Sequence, residues 1–450
     1  MILLVASAQA AGYYASEGGI RATGRAGAFV AGADDLSAQT YNPAALSRID
    51  RQLTFQLAGV HQQVVFDRAD EDELSFDPVR NGAAPMPIPA LGFAFSPLSR
   101  LTLAIGAYTP YAPRFAFPDA GPQRFTLVDS VVLSGNVGPS AAWSFRDLHV
   151  GAGVAWTFVS VEQSLVSHVA PLQFAPEDNP DYDVAVSLDL LDPFEITWNA
   201  GLLYDRERFA VGLSYTPPVH FEPTGTLTAD FSRNTYYVGD NDLGKIIANP
   251  TATDGDVGLE VVLPRVVRAG VLLRPHPRVD VEADLVWEQW SSMPTLEVQD
   301  LDLVIETEMA EDVLLDGTVS LPGEMQDAWA LRVGGQFEAT PRFDVRAGLS
   351  YETSAVAPEY RSVFLPDGNE IGYGLGGSLG INDVLALDLA WSQAFVPGHE
   401  LDPSWVYQVQ IDPSSGEVGA GKRVGGGTFR STTSMFGLGL NWTPQREDPT

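Results

Sequence analysis

Two glycine-rich spacings in this chain could do chemistry. Gly376, Ser378 and Gly380 form a G-x-S-x-G run, the pattern that exposes a nucleophilic serine on a sharp strand-to-helix turn. Gly372, Gly374 and Gly377 match the G-x-G-x-x-G spacing that lets a backbone approach a pyrophosphate. Both lie inside one alternating segment with no helix after it, so neither has the context its chemistry needs. Small inward residues there make room for a neighbour instead. His61, His149, His168, His220, His276 and His399 are scattered without ligand spacing, and the chain has no cysteine. No thiolate zinc site, iron–sulfur cluster or disulfide can form, which fits an oxidising envelope compartment. We expect no metal, no cofactor and no enzyme.

A third constellation is ionic. Asp280, Glu282 and Asp284 recur at alternate positions, and Arg332, Asp344 and Arg346 follow on later segments. Charges of both signs suit a polar lumen, either as a guide for a carboxylate or as a network tying the wall to whatever fills it. The network is the expectation, because paired charges are the usual lumen solution. The whole chain holds 58 Asp and Glu against 26 Lys and Arg, a net charge of −32. Nucleic acid is therefore excluded as a partner, since phosphate binding needs a basic surface. A disordered acidic chain is excluded as well, with 45% of residues hydrophobic and 10% aromatic. Residues 291–327 alone carry ten acids and no Lys or Arg. That surface repels free carboxylates mildly, within about a Debye length.

Period-2 alternation must position these groups. In residues 343–352, Phe343, Val345, Ala347, Leu349 and Tyr351 oppose Asp344, Arg346, Gly348, Ser350 and Glu352, as in a half-buried strand. Fourteen such segments are expected: 52–66, 89–96, 100–108, 129–145, 147–165, 194–205, 207–218, 257–274, 277–290, 327–339, 342–353, 369–381, 383–396 and 429–443. Every second connection is short, and the others are long and polar. An all-β, transmembrane, 14-stranded antiparallel up-and-down barrel has this asymmetry, with short periplasmic turns, long extracellular loops and both termini periplasmic. Closure satisfies backbone groups that would each cost several kcal/mol in hydrocarbon. The apolar face then meets lipid and the polar face lines the lumen. Aromatics near strand ends, such as Phe145, Phe343 and Trp442, suit interfacial girdles.

Residues 1–10 end in Ala8-Gln9-Ala10 after a short apolar run and read as a secretory leader cut after Ala10. Residues 11–50 lack alternation and suit short helices, with Asn42 as N-cap and Pro43 at the first helical position. Residues 51–443 form the barrel and 444–450 a tail. Gly24-Arg25-Ala26, Asp34-Asp35, Asn42-Pro43-Ala44, Arg124-Phe125, Asn136 to Pro139, Leu263-Pro264, Arg361-Ser362 and Pro366-Asp367 stand in an order that resembles the long-chain fatty acid and aromatic-hydrocarbon outer-membrane transporters (FadL-like). The resemblance implies that residues 11–50 plug the lumen. It implies passive uptake of hydrophobic small molecules, captured at the loops, held in a pocket and released sideways beside an inward kink of the third strand. On this chain the kink would fall at Ala104–Tyr108, with Gly106 permitting it. Fatty acids and aromatic hydrocarbons both stand as cargo; a structural, adhesin or phage-receptor barrel is the rival. The expected surroundings are outer-membrane lipid and lipopolysaccharide, around a monomer.

Overall fold

The structure, a computed structural model, describes residues 18–69, 75–169, 179–234, 251–293, 297–305, 313–320, 324–402, 404–411 and 418–444. The leader expected at 1–10 and the tail beyond 444 lie outside the described residues.

Fourteen strands make the wall: β1 (Arg51–Arg68), β2 (Met86–Leu98), β3 (Leu101–Tyr108), β4 (Asp129–Phe145), β5 (Leu148–Val169), β6 (Asp183–Arg206), β7 (Phe209–Thr216), β8 (Val266–His276), β9 (Val279–Glu288), β10 (Ala328–Thr340), β11 (Phe343–Glu352), β12 (Glu370–Gly380), β13 (Leu385–Leu401) and β14 (Gly427–Trp442). Each pairs antiparallel with its sequence neighbours. The sheet closes where β1 meets β14, from Leu53 opposite Trp442 to Arg68 opposite Gly427. The fourteen-stranded barrel read from alternation is the observed fold.

The alternation sorts the two faces. Leu331 and Leu349 stand 52% and 66% exposed on the outside, whereas Glu282 and Asp388 inside are both 0% exposed. Short turns such as Glu207–Arg208 and Pro341–Arg342 join strands at one end. At the other end the connections build structure of their own. Thr224–Asp230 extends the sheet beside β6 and pairs with Thr251–Leu259, while Val219–Phe221 pairs with Val261–Leu263. The expected single strand over 257–274 is thus split, because Pro264 removes an N–H and ends one ladder before β8 begins. Phe221, Leu227, Leu259 and Trp290 join the upper ends of β5 and β6 in one apolar cluster. No described helix is long and apolar enough to cross a membrane.

Candidate functional site

Residues 19–49 lie inside the ring at the short-turn end. They form two single-turn helices, Ile20–Thr23 and Ala38–Tyr41, and a 3-10 helix over Pro43–Arg48. Asn42 caps the last: its Oδ1 accepts from Ala44 N at 3.1 Å, while its Nδ2 donates to Val30 O and to Leu202 O of β6, each at 3.0 Å. One side chain therefore fixes the helix start, the preceding loop and the wall.

The acids of β9 hold the segment by its backbone. Glu282 Oε1 accepts from Ala31 N at 2.5 Å and Gly32 N at 2.9 Å; its Oε2 accepts from Arg25 Nη2 at 2.9 Å. Asp284 Oδ2 accepts from Phe29 N and Val30 N at 2.7 and 3.0 Å, and Asp280 stands 3.0 Å from Arg25. Carboxylates thus satisfy four buried N–H groups that no regular helix would pair. Arg21 reaches Asp388 at 2.9 Å and Asp34 at 3.1 Å, and Arg48 reaches Asp205 at 2.8 Å. Of the wall arginines singled out in the sequence, Arg332 stands 3.7 Å from Glu352 and packs beside Gly27, and Arg346 donates to Ser378 and Gln336. Ser378, the candidate nucleophile, bonds Arg346 and Asp388 and no imidazole.

Glycines let the segment approach. Four rows run in register around the wall: Gly92–Gly106–Gly138, Gly151–Gly201, Gly212–Gly270 and Gly334–Gly348–Gly374. A Cβ on Gly348 or Gly374 would meet Ala26 N at 2.9 or 2.7 Å, and Gly24 lies against Gly376. The Pro43–Ala44 backbone sits on Gly151, and the Gln39 side chain sits on Gly106. Every wall strand touches the segment, from Gln56 of β1 with Ile20 N through Ser214 of β7 with Tyr41 O to Gly437 of β14 with Ile20. Within the described residues the segment packs against the whole ring at this end.

Among the described residues the wall ladder stops short between β2 and β3. The β2–β3 ladder runs from Leu98 opposite Leu101 to Leu91 opposite Ala107 and stops. β3 ends at Tyr108 and the chain then follows β4 alone, with Tyr111 O accepting from Ser134 N at 2.9 Å and Arg114–Ala116 pairing with Asp129–Val131. Met86–Ala90 continue on β1 without a ladder partner on their other side, until Gly82 N meets Ala116 O at 2.8 Å. The residue types explain the break. Pro85, Pro87 and Pro89 recur at every second position on one side, and Pro110 stands on the other, so each edge loses donors. That alternation of prolines was the available sequence signal, and strand periodicity alone passes over it. Gly106 itself lies within a regular ladder, two residues before the departure. Its missing side chain makes room for Gln39, and Ala104 beside it points inward.

Two cavities meet near that break. The larger, an open cleft with about 90 Å³ of internal space, lies between β4–β8 and the top of the N-terminal segment. Its wall mixes Ala155, Val219 and Val266 with Asn136, Thr197 and Asn199, and Arg268 is the one charged side chain lining it among the described residues. The smaller, about 40 Å³, lies against Ala90, Leu91 and Ala107 at the end of the β2–β3 ladder. Gln39, Thr40 and Tyr108 line both and form the septum between them. Gln39 is held there by Ser140 Oγ at 2.9 Å and through its carbonyl by Asn199 Nδ2 at 2.5 Å.

Comparison with known proteins places this architecture. The family described as outer membrane protein transport protein (OMPP1/FadL/TodX) matches residues 1–404. A long-chain fatty acid transport protein of Escherichia coli O6:H1 is 22% identical over 387 residues, which span 80% of this chain and 81% of that one. Among solved structures, a Pseudomonas aeruginosa FadL homologue superposes with a TM-score of 0.70 at 18% identity, covering 94% of this chain and 98% of the other. The Ralstonia pickettii toluene transporter TbuX gives a TM-score of 0.65 at 17% identity, over 94% and 98%.

Proposed function

Because this chain belongs to the OMPP1/FadL/TodX family of outer membrane transport proteins, we propose that it moves hydrophobic small molecules out of its lumen sideways, through the break between β2 and β3. Cargo captured among the long loops settles in the larger cavity. It crosses the septum of Gln39, Thr40 and Tyr108, enters the smaller cavity and leaves into the bilayer. Residues 11–50 serve as a fixed plug, with Gly24, Arg25, Asn42, Pro43 and Ala44 as its anchor points. The observation that carries this reading is the conjunction of a segment packed against the whole ring with an unpaired wall edge beside a cavity. An apolar solute gains about 0.8 kcal/mol per CH₂ on leaving water, and a lateral route keeps that gain where an aqueous pore would forfeit it. Movement is passive, downhill between apolar sites. The barrel closes on itself and works as a monomer, surrounded by outer-membrane lipid and lipopolysaccharide.

For cargo, Arg268 favours an amphiphile with one acidic headgroup, as in long-chain fatty acids. A guanidinium in a desolvated cavity is a strong partner for a carboxylate. Tyr108 and Tyr111 in the same cavity favour the second reading, an aromatic hydrocarbon. Extraction of the purified protein followed by mass spectrometry of bound small molecules, and uptake of a labelled fatty acid and of toluene into proteoliposomes, separate the two. If neither cargo enters faster than into empty vesicles, the transport reading fails and a structural or receptor barrel takes its place.

A further inference from the structure

The short turns repeat a pattern that solute transport does not use. Four of them place an arginine directly before the outgoing strand: Ser99-Arg100-Leu101, Glu207-Arg208-Phe209, Pro277-Arg278-Val279 and Pro341-Arg342-Phe343. A fifth puts Arg146 between Phe145 and Asp147; the sixth carries Asp383 instead. All five of these arginines are exposed, as are Arg51 and Arg206 at the same end. The acids there are fewer. Asp147 pairs with Arg206 at 2.9 Å and Asp383 with Arg342 at 3.1 Å. Arg51, Arg100, Arg208 and Arg278 have no ion pair among the described residues. Arg146 holds a left-handed backbone, φ 57°, where glycine or asparagine would cost less, and its guanidinium lies 5.8 Å from the Phe145 ring centre.

The outward aromatic residues fix the level of this collar. Phe145, Tyr204, Phe209, Phe343 and Trp442 are exposed on the outer face at the short-turn end, where amphipathic rings mark the edge of the hydrocarbon. An arginine one residue past such a ring stands at the depth of the lipid phosphates, and its planar fork suits a phosphate diester. The opposite end is the reverse, with ten acids and no base across residues 291–327. We propose that the arginine-bearing turns bind anionic phospholipid headgroups of the periplasmic leaflet, giving this barrel a lipid collar on the side away from its acidic loops.

The test is lipid retention. The full-length protein is placed in nanodiscs of equal phosphatidylcholine and phosphatidylglycerol, released gently, and its retained lipids are counted by native mass spectrometry. The expected result is phosphatidylglycerol enriched by about fivefold or more, since each basic side chain at an anionic surface adds roughly that factor. The combined Arg100→Gln, Arg146→Gln, Arg208→Gln and Arg278→Gln variant should fall to near parity, and the four corresponding Arg→Lys changes should keep most of the enrichment. Heat-modifiable mobility on gels verifies that each barrel is folded. Equal retention of the two lipids by the unaltered protein would overturn the proposal, whichever variants fold. So would wild-type enrichment in a folded glutamine variant.

Discussion

The lower lumen and the β2–β3 edge solve the same backbone problem in opposite ways. In the lower lumen the irregular stretch between two short helices satisfies its N–H groups on Glu282 and Asp284, and the segment beds on in-register wall glycines. At the edge, prolines take donors away from both sides, and the ladder stops after Leu91 opposite Ala107. One region is closed by supplying partners, the other is left open by removing them. The difference teaches that, on the proposed lateral route, the path of a solute is written in backbone hydrogen bonding as much as in pore diameter.

The contrast breaks most severely at Glu282. Glu282→Ala takes from the buried Arg25 guanidinium one of its two carboxylate partners, leaving Asp280, and strands two N–H groups. Loss of one partner of a buried charge pair costs about 3–5 kcal/mol. We expect the N-terminal segment to loosen and single-channel conductance in planar bilayers to rise well above that of the parent; an unchanged conductance would argue that the segment is held by other means.

Asp35 offers a test of the opposite sign. It is fully buried in the segment, with Ser37 N donating to its Oδ1 at 2.9 Å. Burial, reinforced by nearby Asp34 and opposed by Arg21, pushes its carboxyl from 3.8 up to about 6. The raised value favours the neutral form, so this stabilising contribution is complete below pH 4 and lost as pH rises through 6. At neutral pH the ionised group costs about 3 kcal/mol, at 1.36 kcal/mol per unit. Asp35→Asn should therefore raise the unfolding temperature at pH 7.5 and leave it unchanged at pH 4; an equal gain at both pH values would point to a cause other than ionisation.

The glycine rows sharpen the comparison further. Gly348→Ala puts a methyl group into the Arg25–Ala26 backbone, whereas a Cβ on Gly59 meets nothing within 4 Å. Overpacking of this kind costs about 1–3 kcal/mol. Thermal unfolding should separate the two variants, and similar stabilities would mean the close approach is relieved by a shift of the segment. The smallest effect is on selectivity. Arg268→Gln should weaken fatty-acid binding about tenfold, as expected for losing a charge-assisted hydrogen bond of about 1.5 kcal/mol. It should leave toluene binding within a factor of two, measured by displacement of a fluorescent lipid analogue.

Alternation made the wall legible. Residues 129–145 and 343–352 read from sequence as strands lie within a residue of β4 and β11, because each strand must put one face toward lipid and one toward a packed interior. The loops resisted. Thr224–Asp230 and Thr251–Leu259 pair with each other above the barrel, where neither face meets lipid and no strict pattern is imposed. The β9 acids were visible as lumen charges, but their partners were backbone N–H groups of residues 29–32, which no side-chain pattern announces. Gly106 attracted notice as a flexible point, while the prolines at 85, 87 and 89 carried the more direct signal of an unpaired edge.

The lateral route is tested most directly by stapling the break. Ala90 and Tyr108 are the next facing positions beyond Leu91–Ala107, and the chain has no native cysteine to interfere. In the Ala90→Cys, Tyr108→Cys variant, oxidation should cut hydrophobic uptake at least about tenfold, with binding in the lumen intact, and reduction with dithiothreitol should restore it. Uptake at the parent rate with the disulfide formed would mean that solute leaves by another path.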